Sequence, residues 1–176
     1  DRQWSRGLGD VYKRQTYSKE ELMLWVGRVE KILGDEKFEF TCELKYDGVS
    51  ISLTYEGGKF LRGVTRGDGI EGDDISINLR TIPTIPLELK GDYPSFFEIR
   101  GEIILPLEGF KVMNELRIES GEEPFMNPRN TASGSLKLHD SRIVAERPLE
   151  CFIYALAGEN MEIKSQILGL EKASSW

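Results

Sequence analysis

This 176-residue chain is short of positive charge: 23 Lys and Arg stand against 30 Asp and Glu, a formal net charge of −7. Proteins that grip nucleic acid usually carry an excess of cations to displace the counterions of the phosphates, so the sum weighs mildly against such a partner. Its distribution weighs the other way: residues 126–147 hold Arg129, Lys137, Arg142 and Arg147 against Asp140 and Glu146, a local net of +2, while acid gathers elsewhere, as at residues 119–123. Cysteine is almost absent. Cys42 and Cys151 lie in strand-like apolar segments without metal-ligand spacing, which predicts two buried thiols rather than a disulfide or a zinc site and fits a reducing cytoplasm. The single histidine, His139, has no second base or nucleophile motif around it and is assigned no catalytic role. No apolar run approaches the roughly 18 residues of a membrane span, so no membrane partner is expected. No internal repeat or low-complexity linker is visible.

What is present suits one sizeable core, with 39% hydrophobic and 10% aromatic residues. Residues 1–15 carry scattered Arg, Gly and Trp without a secretory pattern and read as a non-native leader, leaving residues 16–176 as the domain. Ser18-Lys19-Glu20-Glu21 is a capping box opening a helix to Leu33, with Leu22, Trp25, Val26, Val29 and Ile32 as a core-facing stripe and Gly34 as its stop. Strands are expected at residues 41–45, 49–55, 59–65, 96–104 and 149–156, the second and third joined by Glu56-Gly57-Gly58. Helices are expected at 73–79, 106–120 and 130–138, and a further one begins within Met161 to Leu170 and ends near the chain terminus. Hairpins with helices beside them define an α+β fold.

The densest polar motif is Glu43-Leu44-Lys45-Tyr46-Asp47-Gly48. Alternation of Phe40, Cys42 and Leu44 with polar neighbours puts Glu43 and Lys45 on one strand face, and Asp47-Gly48 reads as the tight turn into the next strand. Alone, that pattern is ordinary hairpin chemistry with a solvated lysine. Three further clusters change the reading: Thr65-Arg66-Gly67-Asp68-Gly69, Glu98-Ile99-Arg100-Gly101-Glu102 and Asn127-Pro128-Arg129-Asn130. In this order and spacing the chain, from about Tyr17 to Trp176, resembles the adenylation domain of bacterial NAD-dependent DNA ligases.

The resemblance implies a nucleotidyltransferase (ATP-grasp-like) fold with antiparallel sheets and flanking helices. It also implies that Lys45 attacks NAD to form lysine–AMP with release of nicotinamide mononucleotide, the first step of sealing a DNA nick. The attack needs a neutral amine. Carboxylates stabilise the charged form of a neighbouring lysine, so Asp47 is given the role of orienting amine and ribose rather than of deprotonation. By the same resemblance Glu43 contacts the adenine side, Gly48 completes the motif, Arg66 reaches ribose or phosphate, Glu102 accepts from ribose hydroxyls and Tyr154 stacks on adenine. Read without it, Glu43 is a surface partner of Lys45, Arg100 pairs with Glu102, and Tyr154 is core. Arg129 matches an arginine that binds a phosphate of nucleotide or nicked DNA. Lys137 stands where many relatives carry arginine, keeping the charge and losing the two-pronged hydrogen bonding. NAD and Mg2+ are the implied cofactors, with no protein metal site in this stretch, and nicked double-stranded DNA is the implied partner of the complete enzyme.

Complete members add an amino-terminal domain for the nicotinamide mononucleotide half, later lysine motifs, an OB domain and a four-cysteine zinc element. None of these is expected here, so the chain reads as a partial, monomeric adenylation domain, incomplete at its C-terminus, that does not complete ligation alone. An ATP-dependent ligase or RNA-capping nucleotidyltransferase shares Lys-x-Asp-Gly, and a non-catalytic nucleotide- or DNA-binding remnant is the reading from a different class.

Overall fold

A computed structural model describes residues 16–66, 72–158 and 163–176. The leader assigned to residues 1–15, the Gly67-Asp68-Gly69 turn and Met161 lie outside the described residues. The chain divides into two units, residues 1–40 and 41–176.

In the first unit, helix α1 (Lys19–Leu33) begins where the sequence predicts: Ser18 accepts from the Glu21 N–H at 3.1 Å, and Glu21 reaches back to the Tyr17 N–H at 2.7 Å. The helix ends at Gly34. Its expected core-facing stripe does not become core. No residue of α1 is buried, and Ile32 is 82% exposed, because a single helix brings few partners within its own unit; Trp25 finds Phe40, ring centroids 5.1 Å apart.

The second unit is built on one four-stranded antiparallel sheet of β1 (Val49–Glu56), β2 (Lys59–Thr65), β3 (Phe96–Ile104) and β4 (Glu150–Ala157), in the order β2-β1-β3-β4. Gly57 and Gly58 both take positive φ, 55° and 75°, as a tight turn between β1 and β2 demands. The helices are α2 (Ser76–Leu79), α3 (Leu107–Glu119), α4 (Pro128–Leu136), α5 (Ser141–Ala145) and α6 (Gln166–Ser174). The α+β class is borne out, and β3 has the expected bounds. The short helix α5 is additional.

Residue alternation sorts the sheet into two faces. Ile51, Leu53 and Tyr55 on β1 stand opposite Gly101, Ile99 and Phe97 on β3, and these side chains, with Phe60, Leu79, Ile82 and Ile103, form the core. Helix α6 packs on β4, and Trp176 beyond it tilts onto Phe97 at 4.9 Å. The other face carries Ser50, Ser52, Glu98, Arg100 and Glu102. It is the polar face, and the motif residues gather at its edge.

Two expectations are corrected. Residues 41–45 form no strand, and Asp47-Gly48 is no hairpin turn: both hydrogen-bonding edges of β1 are taken, by β2 and by β3, so no ladder position beside it is left for that segment. The apolar alternation that suggested the strand leaves Leu44 77% exposed. Cys42 accordingly is an exposed thiol, and Cys151 is half-buried on β4.

Candidate active site

Gly48 is where the irregular motif segment meets the sheet. A Cβ built there would lie 2.2 Å from the Ile103 carbonyl oxygen, so only glycine permits this approach of the chain to β3. The approach brings the Gly48 N–H to the Glu102 carboxylate as a donor. Two residues earlier, Tyr46 stacks on Phe152 of β4, centroids 4.3 Å apart, fastening the segment from its other side. Lys45 and Asp47 flank Tyr46 and are exposed.

Helix α4 supplies the opposing charge. Asn127 caps it, accepting from the Asn130 N–H at 2.8 Å, with Pro128 in its first turn. Arg129 then projects from that turn and donates to Asp47 Oδ1 at 3.0 Å. Glu102 lies within the field of this group. Burial pushes its carboxyl above the usual range, against the opposing pull of the Gly48 N–H, Arg129 and Lys45, with Asp47 adding to the rise. Lys45, Asp47, Gly48, Glu102 and Arg129 are thus brought together from three separated stretches of sequence.

A second group gathers around Tyr154. The β3–β4 register shifts between Arg100 and Gly101, which leaves Tyr154 as the extra residue of a bulge. Its hydroxyl lies 2.7 Å from Ser50 Oγ. Its carbonyl accepts from Gln166 Nε2 at 2.5 Å, and the same amide nitrogen donates to Glu43 Oε1 at 2.9 Å. Glu43 is therefore tied toward β4 by the first residue of α6 rather than paired with Lys45. Arg66 follows β2 directly, its N–H donating to the Ser50 carbonyl at 3.0 Å. Glu102 has Ser50 and Phe152 as its cross-strand neighbours, so the ion pair with Arg100 is not its setting.

Lys137 stands apart. At the C-cap of α4 it pairs with Asp73 at 2.8 Å, about 12 Å along the helix axis from Arg129 by the rise per residue. It lines a cleft of about 1000 Å³ with Arg62, Asp74, Asn78, Glu98 and His139. That cleft contains neither Lys45 nor Asp47, so its size does not make it the chemical site. Asn78 there is buried and gives its amide hydrogens to the Leu136 and Leu138 carbonyls, both at 2.8 Å, which anchors the far end of α4. Among the described residues no group of three or more His, Cys, Asp or Glu could hold a metal ion.

Ser50, Gln166, Tyr46 and Phe152 were not singled out by sequence. Only Tyr46 carried a local signal, as an aromatic wedged inside the motif.

Comparison with known proteins gives this geometry its context. Residues 12–176 match the family model described as NAD-dependent DNA ligase adenylation domain. The DNA ligase of Flavobacterium psychrophilum is 58% identical over 161 residues, covering 92% of this chain and 24% of that protein. The DNA ligase of Christiangramia forsetii is 60% identical with the same coverage, and that of Bacteroides fragilis 53% identical over 163 residues, again 92% and 24%. The chain spans about a quarter of the length of these curated relatives.

Proposed function

The chain belongs to the NAD-dependent DNA ligase adenylation domain family, and on that premise we propose that Lys45 is the nucleophile that takes AMP from NAD. The observation that carries this reading is the gathering around Glu102 of β3 of the charges of Lys45 and Asp47 from the motif segment and of Arg129 from α4, with Arg129 paired to Asp47. In the step proposed, the neutral Nζ lone pair forms a bond to the adenylyl phosphorus. The bond from that phosphorus to the bridging oxygen breaks, nicotinamide mononucleotide leaves with the electron pair, and the amine proton passes to solvent.

Arg129 is suited to the phosphate charge through its planar donor fork, which its pair with Asp47 holds beside the motif segment. Asp47 orients the amine and ribose. Glu102, half-buried on the polar face, accepts from ribose hydroxyls, with Glu43 and Tyr154 on the base side and Arg66 at ribose or phosphate. Mg2+ fits this donor set as an ion that enters with the nucleotide phosphates, since one or two carboxylates and substrate oxygens suffice for it; it would neutralise phosphate charge. Nicked duplex DNA is the proposed acceptor in the longer enzyme, with Arg129 and Lys137 as candidate phosphate contacts. A reducing bacterial cytoplasm is the proposed compartment, supported by two free thiols. No helix among the described residues is long and apolar enough to cross a membrane.

The test is intact mass after incubation with NAD and Mg2+, with peptide mapping. An AMP adduct on Lys45, absent from Lys45→Ala and stronger with NAD than with ATP, is the expected result. Preference for ATP would move the chain to the ATP-dependent class. A folded chain that forms no adduct but binds AMP would be a binding module.

A further inference from the structure

Ser50 is where three of the candidate site residues meet. Its carbonyl accepts from the Arg66 N–H at 3.0 Å, its Cα stands opposite Glu102 in the β1–β3 ladder, and its hydroxyl lies 2.7 Å from that of Tyr154, 104 residues further on. The last contact crosses a whole strand, because β3 lies between β1 and β4. With strands about 4.8 Å apart, the two backbones are roughly 10 Å from one another. Tyrosine is long enough to cover most of that span, and a serine opposite covers the remainder with a hydroxyl while leaving the ring room to cross.

Tyr154 needs such a tether. As the extra residue of the β4 bulge it has no partner across the ladder to fix its direction. Its two polar ends are held instead by side chains, the carbonyl by Gln166 and the hydroxyl by Ser50. β-branched residues pack better than serine on a strand surface, so sheet stability alone gives no reason for Ser at this position.

We propose that Ser50 is a positioning residue of the nucleotide pocket: its hydroxyl fixes the bulged Tyr154 ring across β3 as the platform on which a purine base stacks. This rests on the reading of the polar face as an adenine-nucleotide site. The ring acts by its face, which is sequence-tolerant and sensitive to tilt, so the tether acts on base affinity rather than on the phosphorus chemistry.

The experiment is calorimetric titration of this chain with AMP, alongside NAD-dependent adduct formation. Ser50→Ala and Tyr154→Phe each lose the one hydrogen bond and are expected to weaken AMP about 3- to 10-fold. The double variant should be no weaker than either single, since both remove the same contact. Ser50→Thr, which keeps the hydroxyl, should recover affinity to within about twofold, a rescue that a purely structural role in the strand would not require. Additive losses, an unaltered Ser50→Ala affinity, or equal binding by Ser50→Ala and Ser50→Thr would each overturn the tether while leaving the nucleotide site standing. If Ser50→Ala does not fold, Tyr154→Phe and Ser50→Thr carry the comparison. An unsubstituted chain that neither binds AMP nor forms the adduct overturns the nucleotide reading and the tether with it.

Discussion

Substituting Gly48 by alanine tests the link between the sheet and the reactive segment. The added Cβ would meet the Ile103 carbonyl oxygen at 2.2 Å, its carbon at 2.9 Å and Ile104 Cγ2 at 2.9 Å. The first two are backbone atoms held in the β3 ladder and cannot swing away, so the motif segment must retreat by about 1 Å to reach even a tight contact. Overpacking of this kind costs about 1–3 kcal/mol, which for a domain of this size lowers the melting temperature by roughly 2–12 °C. The retreat also draws the Gly48 N–H from Glu102 and carries Lys45 and Asp47 with it, and a displacement of about 1 Å at a reacting atom costs on the order of 100-fold in rate. Thermal melting by circular dichroism and single-turnover formation of the Lys45 adduct read the two effects separately. A Gly48→Ala chain that melts lower and still forms the adduct at the original rate would refute the claim that this close approach positions the nucleophile. An unchanged melting temperature would refute the close approach itself.

Asn78→Ala should cost about 2–4 kcal/mol in urea denaturation, because two carbonyls at the end of α4 lose a buried donor, and hydrogen exchange should quicken in α4 more than in the sheet. Glu102→Gln gives a test by pH. Since burial raises the folded-state value of this carboxyl, its contribution to stability is present below the ordinary glutamate range and is lost as pH rises through the raised value. The glutamine variant should therefore melt at or above the original chain at neutral pH, and that advantage should vanish as the pH falls toward 4; an advantage that grows on acidification would contradict the sign. AMP affinity should drop in the same variant.

Much of the scaffold could be read from local patterns. Ser18 and Gly34 bracket α1 because caps act within a single turn, and β3 shows its full length because its alternate residues face the core over nine consecutive positions. Residues 41–45 misled for an equally physical reason: apolar alternation reports a preference for pleated surface, and whether an edge is available depends on strands that come 50 residues later. Cys42 was drawn into the same error. Lys45, Asp47, Glu102 and Arg129 could be singled out as candidates because each stands in a dense polar motif within a recognisable order. Ser50 and Gln166 could not, since a serine in a strand and a glutamine opening a helix are ordinary residues whose importance arises only from what they touch across the fold. Lys137 was grouped with Arg129 by sequence, and the two stand at opposite ends of the nine-residue helix α4.

The contacts that hold the site together also set a timetable. Asp47 waits 82 residues for Arg129, Ser50 waits 104 for Tyr154 and Glu43 waits 123 for Gln166. At synthesis rates of about 5–20 residues per second, the last of these intervals is roughly 6–25 s. During that time the hairpin of β1 and β2 can form next to the ribosome, while the lysine and its carboxylates are out in solution without the groups that align them. A nascent chain therefore passes through a stage in which the candidate motif exists and the candidate site does not. Translation speed over the stretch between the motif and α6 decides how long that stage lasts.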